Sequence, residues 1–383
     1  REAVVARRDW ARQRLGAWVR FKSTLGKEGP AQEYAAGLFE ELGFSTKLVP
    51  IDVDRIRILP GFSPVDWSYE GRPNVVGVHD PADPVGRSLV INGHVDVVSP
   101  EPRSLWTTPP FEPTLISDGP DGETWIRARG AGDMKGGTLS ALWALSALDE
   151  LGFEPASRVI LQSVIEEECT GNGTLALCAD GVDAEGCLIP EPFDQTLLIR
   201  QLGVLWFQVR LLGRTTHVLG AGRGVNAIEK SFIVIQALRE LERELNEPSR
   251  MPEGYREIEH PLNLNVGVID GGDWASTVAG ECVTRFRMAF FPGERSADLM
   301  RRVEQHIADA ASLDPWLREN PPRVEYIGFR AEGCEIDRKA PFIGALEDAH
   351  SSWAGGPPRP LNATCTTDVR FFQLYRNIPS TCY

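Results

Sequence analysis

The stretch LVINGHVDVVSP, residues 89–100, is almost wholly apolar and carries His94 and Asp96 near its end. A run of this kind suits a strand covered on both faces, as in a parallel sheet flanked by helices. Strand side chains two residues apart face the same way. The spacing therefore predicts one imidazole and one carboxylate side by side at the end of a buried strand.

Outward from this strand, period and punctuation repeat a strand-then-helix order. Residues 9–25 and 31–43 have helical periodicity, with Gly43 as a C-cap. Residues 50–73 and 100–122 are Pro- and Gly-bearing loops. PNVVGV, RVILQSVIEEE and GCLIPEP read as further strands, and GGTLSALWALSALDELG as a helix. The expected fold class is α/β, a mostly parallel sheet with helices on its faces.

Near residue 199 the pattern changes. A long strand IRQLGVLWFQVRLLG, a helix, a strand pair across a Gly-rich turn, a second helix and the strand PRVEYIGFR give the order β-α-β-β-α-β. That is the split unit of a ferredoxin-like α+β sandwich. The expected organisation is residues 1–198 as the first part of one domain, 199–331 as an inserted domain, and 332–383 as the return to the first. A chain of 383 residues is long for one core, in keeping with two domains.

Composition excludes some functions. The net charge of -14 argues against a nucleic-acid partner, which needs a basic face. No apolar run is long enough for a membrane span, and no signal peptide is visible. The cysteines are odd in number, seven, without a CxxC pair. They read as reduced thiols of a cytoplasmic protein and not as a cysteine-bound zinc site.

Four stretches place ligand-type side chains at strand ends: GHVDVV, GAGDMKGG, IEEECTGNG and IPEPFD. In open α/β sheets sites gather at the carboxyl ends of strands. His94, Asp133, the Glu166–Glu168 cluster and Glu191 are thus expected in one crevice. Crowded carboxylates repel and resist ionisation, a problem that divalent cations remove. One imidazole with several carboxylates suits Zn, Co or Mn. Singly, each feature has a plainer reading. A His on an apolar strand is ordinarily packed in a core, Asp133 could cap the helix that follows, and three glutamates could be a solvated run. Their order along the chain is what favours the site.

The order and spacing of these stretches resemble the M20 family of metallopeptidases and deacylases over essentially the whole chain. The resemblance implies a zinc-exopeptidase-like catalytic domain with an inserted lid and dimerisation domain. It implies two divalent metal ions, zinc first, cobalt or manganese as alternatives, held by His94, Asp133, Glu168 and Glu191. Asp96 would orient His94, and Glu167 would be the general base that later protonates the leaving amine. A register slip to Glu166 and Glu167 is the alternative for the triplet, which in the family usually reads Asp-Glu-Glu. His217, in GRTTHV, would reach the partner subunit's site and steady the oxyanion, which implies a homodimer through the inserted domain. Asn265 and one of Arg285 or Arg287, with Arg287 preferred, would hold a substrate carboxylate. Arg370, in TTDVRFF, would contact substrate.

Three departures stand out. The family's last metal-binding His follows a Gly-Pro-Gly turn after a strand like NIPSTCY, and this chain stops at Tyr383. The numbered sequence is therefore expected to be cut short at both ends. RARG stands where relatives often read Tyr-Gly-Arg-Gly, and Val218 where many have Ser. The expected activity is hydrolysis of an amide bond in a small carboxylate-bearing molecule such as an N-acyl amino acid. The alternatives are a dipeptidase or carboxypeptidase, hydrolysis of another C–N bond such as that of an aromatic amine, or an inactive relative that only binds small molecules.

Overall fold

A computed structural model describes residues 1–117 and 123–383. The expected loop 100–122 thus has its last five residues outside the described ones. The rest of it holds a short 3-10 turn, Arg103–Leu105, and the strand Thr114–Ile116, which pairs with Trp125–Arg127.

The central sheet has six strands in the order Ser45–Val49, Asn74–His79, Val159–Val164, Leu89–His94, Gly186–Ile189, Ser380–Cys382. The first two pairings are antiparallel and the other three parallel. Leu89–His94 lies between two parallel neighbours, which is why its run is apolar without alternation. Helices Arg8–Trp18, Gly29–Glu41, Lys135–Glu150 and Asn172–Ala179 join it in one core.

Glycines set how closely the helix Lys135–Glu150 approaches. A Cβ at Gly93 would lie 2.1 Å from Thr138 Oγ1, and one at Gly137 would lie 1.7 Å from the Pro190 carbonyl oxygen. The helix start is therefore pressed against the backbone that carries Glu191. Of the Gly pair after Asp133, Gly137 serves this packing, and Gly136 lets the turn carrying Ala131 close on the helix start, where a Cβ would lie 2.1 Å from the Ala131 carbonyl oxygen.

The expected long strand at residues 199–213 is two strands. Leu197–Gln201 belongs to a three-stranded sheet with Cys334–Glu335 and Pro360–Ala363, and Gly203–Leu212 begins a second lobe. The switch falls at Leu202, which is fully buried. The lobe's sheet has the order Leu264–Gly271, Glu281–Phe290, Gly203–Leu212, Arg323–Glu325, all antiparallel. With helices Ala227–Leu245 and Ser296–Leu313 it is a ferredoxin-like βαββαβ sandwich. Leu205, Phe207, Val209, Phe286 and Met288 fill the face toward the helices. The last strand is also divided, into Arg323–Glu325 and Arg330–Ala331.

No helix among the described residues is long and apolar enough to cross a membrane. All seven cysteines are unpaired, and six are buried.

Candidate metal centre

His94 ends its strand with only 1% of its surface exposed. Its Nδ1 donates to the Asp96 carbonyl at 2.9 Å, which turns Nε2 toward the carboxylates of the crevice. Nε2 lies 3.1 Å from Asp133 Oδ1, 3.8 Å from Glu191 Oε1 and 3.9 Å from Glu167 Oε2. Asp133 comes from the turn before Lys135–Glu150, Glu167 and Glu168 from the turn after Val159–Val164, and Glu191 from the end of Gly186–Ile189. The structure therefore brings His94, Glu167, Glu168 and Glu191 together at the carboxyl ends of three adjacent parallel strands, with Asp133 joining them from the helix start.

Asp96 is beside His94 but not through the strand pleat. The strand ends at His94, so alternation no longer sets the direction of Asp96. Its carboxylate accepts the backbone N–H groups of Glu167, at 3.2 Å, and Glu168, at 3.1 Å. Oδ1 lies 3.6 Å from His94 Nδ1. Asp96 thus fastens the turn bearing the two glutamates to the turn bearing the histidine.

The triplet is divided by its backbone. Glu166 has φ +65° and is wholly buried, turned away from His94. Its carboxylate accepts from Trp67 Nε1 at 2.6 Å, Tyr69 OH at 2.7 Å, Arg72 Nη2 at 2.6 Å and Thr170 Oγ1 at 2.8 Å. Arg72 also binds Glu28 through Nε and Nη2, at 2.8 and 2.7 Å. The geometry therefore favours Glu167 and Glu168 as the site pair over the slipped register.

The electrostatics are those of an anionic cluster. Burial pulls His94 toward neutrality, but the Asp133 hydrogen bond and the fields of Asp96, Glu191 and Glu167 outweigh it and hold the imidazole well above its ordinary value. Burial pushes Glu191 up to about 8, with Asp133, Asp368 and Glu168 adding to the rise against the opposing His94. Burial likewise raises Glu167 and Glu168 and takes Asp96 to about 7. Partial desolvation resists ionisation of Asp133, whose side chain is 55% exposed, yet its hydrogen bond to His94 brings it below the usual range.

Such a set fits cations. Two donor triplets, His94–Glu167–Glu191 and His94–Asp133–Glu168, each have ligand atoms within 4.8 Å of one another. Carboxylates that resist ionisation, gathered around the Nε2 of one imidazole, need a positive charge to be anionic together. One imidazole and hard oxygen donors match zinc, cobalt or manganese and not a thiolate site.

The remaining sequence-derived residues are spread more widely. His217 is exposed on the second lobe, its Nδ1 accepting the Leu219 N–H at 3.2 Å. No hydrogen bond or ion pair among the described residues joins it to the cluster. Asn265 and Arg287 are cross-strand partners. Arg287 has no carboxylate partner among the described residues and reaches the Thr364 carbonyl at 3.4 Å. Arg285 is exposed. Arg370 is only 1% exposed, and its fork is spent on the carbonyls of Thr367, at 2.7 Å, and Thr170, at 3.0 Å. Its guanidinium thus braces two loops from inside and does not open onto the cleft. His350 lies on the helix Pro341–Ala354 and bonds the Tyr383 hydroxyl at 2.6 Å.

Sequence reasoning missed Asp368. It is buried, bonded by Thr174 Oγ1 at 2.6 Å, and its Oδ1 lacks a hydrogen-bond partner. Its field adds to the rise of Glu167 and Glu191. A signal was present in TTDVRFF, where the acid precedes the arginine by two residues. Glu28, Arg72, Trp67 and Tyr69 were missed too, because they act on the site only through Glu166.

Comparison with known proteins identifies the family. Residues 90–383 match peptidase family M20/M25/M40. The N-formyl-4-amino-5-aminomethyl-2-methylpyrimidine deformylase of Halalkalibacterium halodurans is 32% identical over 322 residues, 78% of this chain and 72% of that protein. A succinyl-diaminopimelate desuccinylase of a Bradyrhizobium species is 27% identical over 368 residues, 90% of this chain and 85% of that protein. The dipeptidase Dug1p of Saccharomyces cerevisiae has the same fold, with TM-score 0.78 at 18% identity over 100% of this chain and 90% of that one. The expectations of fold and family raised by the sequence hold: the chain belongs to peptidase family M20/M25/M40 and is a metal-dependent hydrolase of amide C–N bonds.

Proposed function

We propose that the chain is a two-metal deacylase that removes an acyl group from the nitrogen of a small carboxylate-bearing molecule, such as an N-acyl amino acid. The observation that carries this reading is the meeting of His94, Asp133, Glu167, Glu168 and Glu191 at adjacent strand ends. His94, Asp133, Glu168 and Glu191 would hold the ions, zinc before cobalt or manganese. When bound, the ions supply Lewis acidity and a water that is nucleophilic near neutral pH. Glu167 takes a proton from the water as its oxygen bonds the carbonyl carbon. It returns the proton to the amine nitrogen as the C–N bond breaks, and the acyl group leaves as a carboxylate. Burial raises Glu167, which suits a group that must both accept and give up a proton. Asp96 steadies the two turns that carry His94 and the glutamates. Arg287, a half-buried cation without an ion pair among the described residues, and Asn265 opposite it would receive the substrate carboxylate. Arg370 would support the site from behind.

A second reading is favoured by the relatives. Deformylases more than 30% identical are named for an N-formyl aminomethylpyrimidine, so the amine need not carry a carboxylate. Elemental analysis and a panel of N-formyl, N-acetyl and dipeptide substrates test both readings. We expect about two metal ions per chain, fewer in Glu168→Ala, and hydrolysis of N-acyl compounds faster than of dipeptides. Absence of metal after incubation with Zn, Co and Mn would remove the reading.

We further propose a cytoplasmic homodimer in which His217 acts on the partner's substrate. The lobe's edge strand Leu264–Gly271 pairs on one side only and exposes Val268 and Ile269. Phe232, Leu219 and Trp274 are exposed on the same lobe. An unpaired edge with apolar side chains invites another chain. His217→Ala and Glu167→Ala proteins, each inactive, should regain part of the activity when mixed and allowed to exchange subunits. No gain despite confirmed exchange would count against the shared site.

A further inference from the structure

Trp206 links two parts of the molecule that have so far been described separately. On the strand Gly203–Leu212 it pairs directly with Arg287, which pairs in turn with Asn265. Directly opposed residues of antiparallel strands share a face. This row lies on the face opposite Leu205 and Phe207, which pack on the lobe's helices. Trp206 also walls a crevice of about 440 Å³ that contains Asp96 and Glu168 of the metal centre together with Leu25, Val98 and Phe111.

The ring is held in place. Phe329 meets it edge-on, with centroids 5.2 Å apart and planes at 86°. Gly328 lies against it, and a Cβ there would come within 2.7 Å of Cε3. Its N–H is unspent. The other buried or half-buried tryptophans, Trp10, Trp18, Trp67, Trp106, Trp143 and Trp316, each donate to a protein acceptor. Trp206 donates to none among the described residues. A fixed aromatic wall with a free donor, cross-strand from Arg287 and in one crevice with Asp96 and Glu168, is built for a planar group.

We propose that Trp206 forms a subsite for an aromatic ring carried near the substrate carboxylate, so that the preferred substrates are N-acyl aromatic amino acids. This rests on the deacylase reading above. Cross-strand neighbours stand about 5 Å apart, so a ring on Trp206 and a carboxylate on Arg287 lie within the span of one amino acid. Offset or edge contact with the indole rewards an aromatic over an aliphatic side chain.

The test is the ratio of kcat/KM for N-acetyl-phenylalanine to that for N-acetyl-leucine, with metal-loaded protein. The ratio should favour phenylalanine and fall about 10-fold in Trp206→Leu. Trp206→Phe should keep part of the preference, and Trp353→Leu, at an exposed site, all of it. Equal ratios in wild type and Trp206→Leu, with both substrates hydrolysed, would overturn the subsite and leave the deacylase reading standing. If neither substrate nor its N-formyl counterpart is hydrolysed, the deacylase reading fails. Equilibrium binding of phenylalanine against leucine then decides the subsite. A preference lost in Trp206→Leu supports it, and no preference overturns it. Should Trp206→Leu not fold, the same comparisons are read from Trp206→Phe and Trp206→His.

Discussion

Replacing Glu167 by Gln is expected to lower kcat about 10³-fold while leaving the metal content unchanged. Gln keeps the shape of the side chain and removes only its capacity to take and return a proton. The expectation separates two roles that geometry alone leaves side by side, because Glu167 lies with His94 and Glu191 in one donor triplet and Glu168 with His94 and Asp133 in the other. If Glu167 is the base, Glu167→Gln binds metal normally and turns over poorly. If it is a ligand, metal falls with activity, and Glu168→Gln becomes the variant that keeps its metal. Elemental analysis beside steady-state kinetics on the two variants decides the matter. Glu166→Gln completes the set, since its metal content should equal that of wild type.

Arg72→Met should cost about 3–5 kcal/mol of stability. Arg72 is 4% exposed and is shared by Glu28 and Glu166, both 0% exposed. Removing it leaves two carboxylates in the core with no cation among their hydrogen-bond donors. Glu166 would keep Trp67, Tyr69 and Thr170, but Glu28 would lose both of its charged bonds. Each must then be protonated or hydrated, and either costs free energy. The control is Arg20→Met, which breaks an exposed pair with Glu112 and should cost less than about 1 kcal/mol. Urea midpoints at constant m-value give both numbers. Equal losses in the two variants would mean that the buried network adds nothing to a surface pair.

What could be read from the sequence followed regular structure. The apolar run 89–95, the helix after Asp133 and the βαββαβ order all carry their period in the residues, and each led to an element of the right kind. The ligand set was legible because strand ends of a parallel sheet converge. Reading failed where a strand stopped. Alternation carries His94 on to Asp96 and the strand reading runs through Glu166–Glu168, yet the strands end at His94 and Val164. Beyond these points direction is set by turns, and Glu166 with φ +65° turns the opposite way from its neighbours. Contacts distant in sequence were invisible for another reason. Nothing near Glu166 announces that Trp67, Tyr69 and Arg72 will surround it, and nothing near Trp206 announces Phe329.

The switch at Leu202 bears on how such a chain can be rebuilt. The path leaves the first core at Gln201 and comes back at Cys334, two residues that are themselves paired. Just inside that doorway Val204 is paired with Ala331. Entry and exit are thus neighbours, and the whole ferredoxin-like lobe hangs from a double stem. Excising it and closing the gap with a short turn stretches nothing, and the entropy of closing so small a loop is modest. The lobe that carries Trp206, His217, Asn265 and Arg287 is therefore joined to the first core along the chain at one pair of adjacent strands.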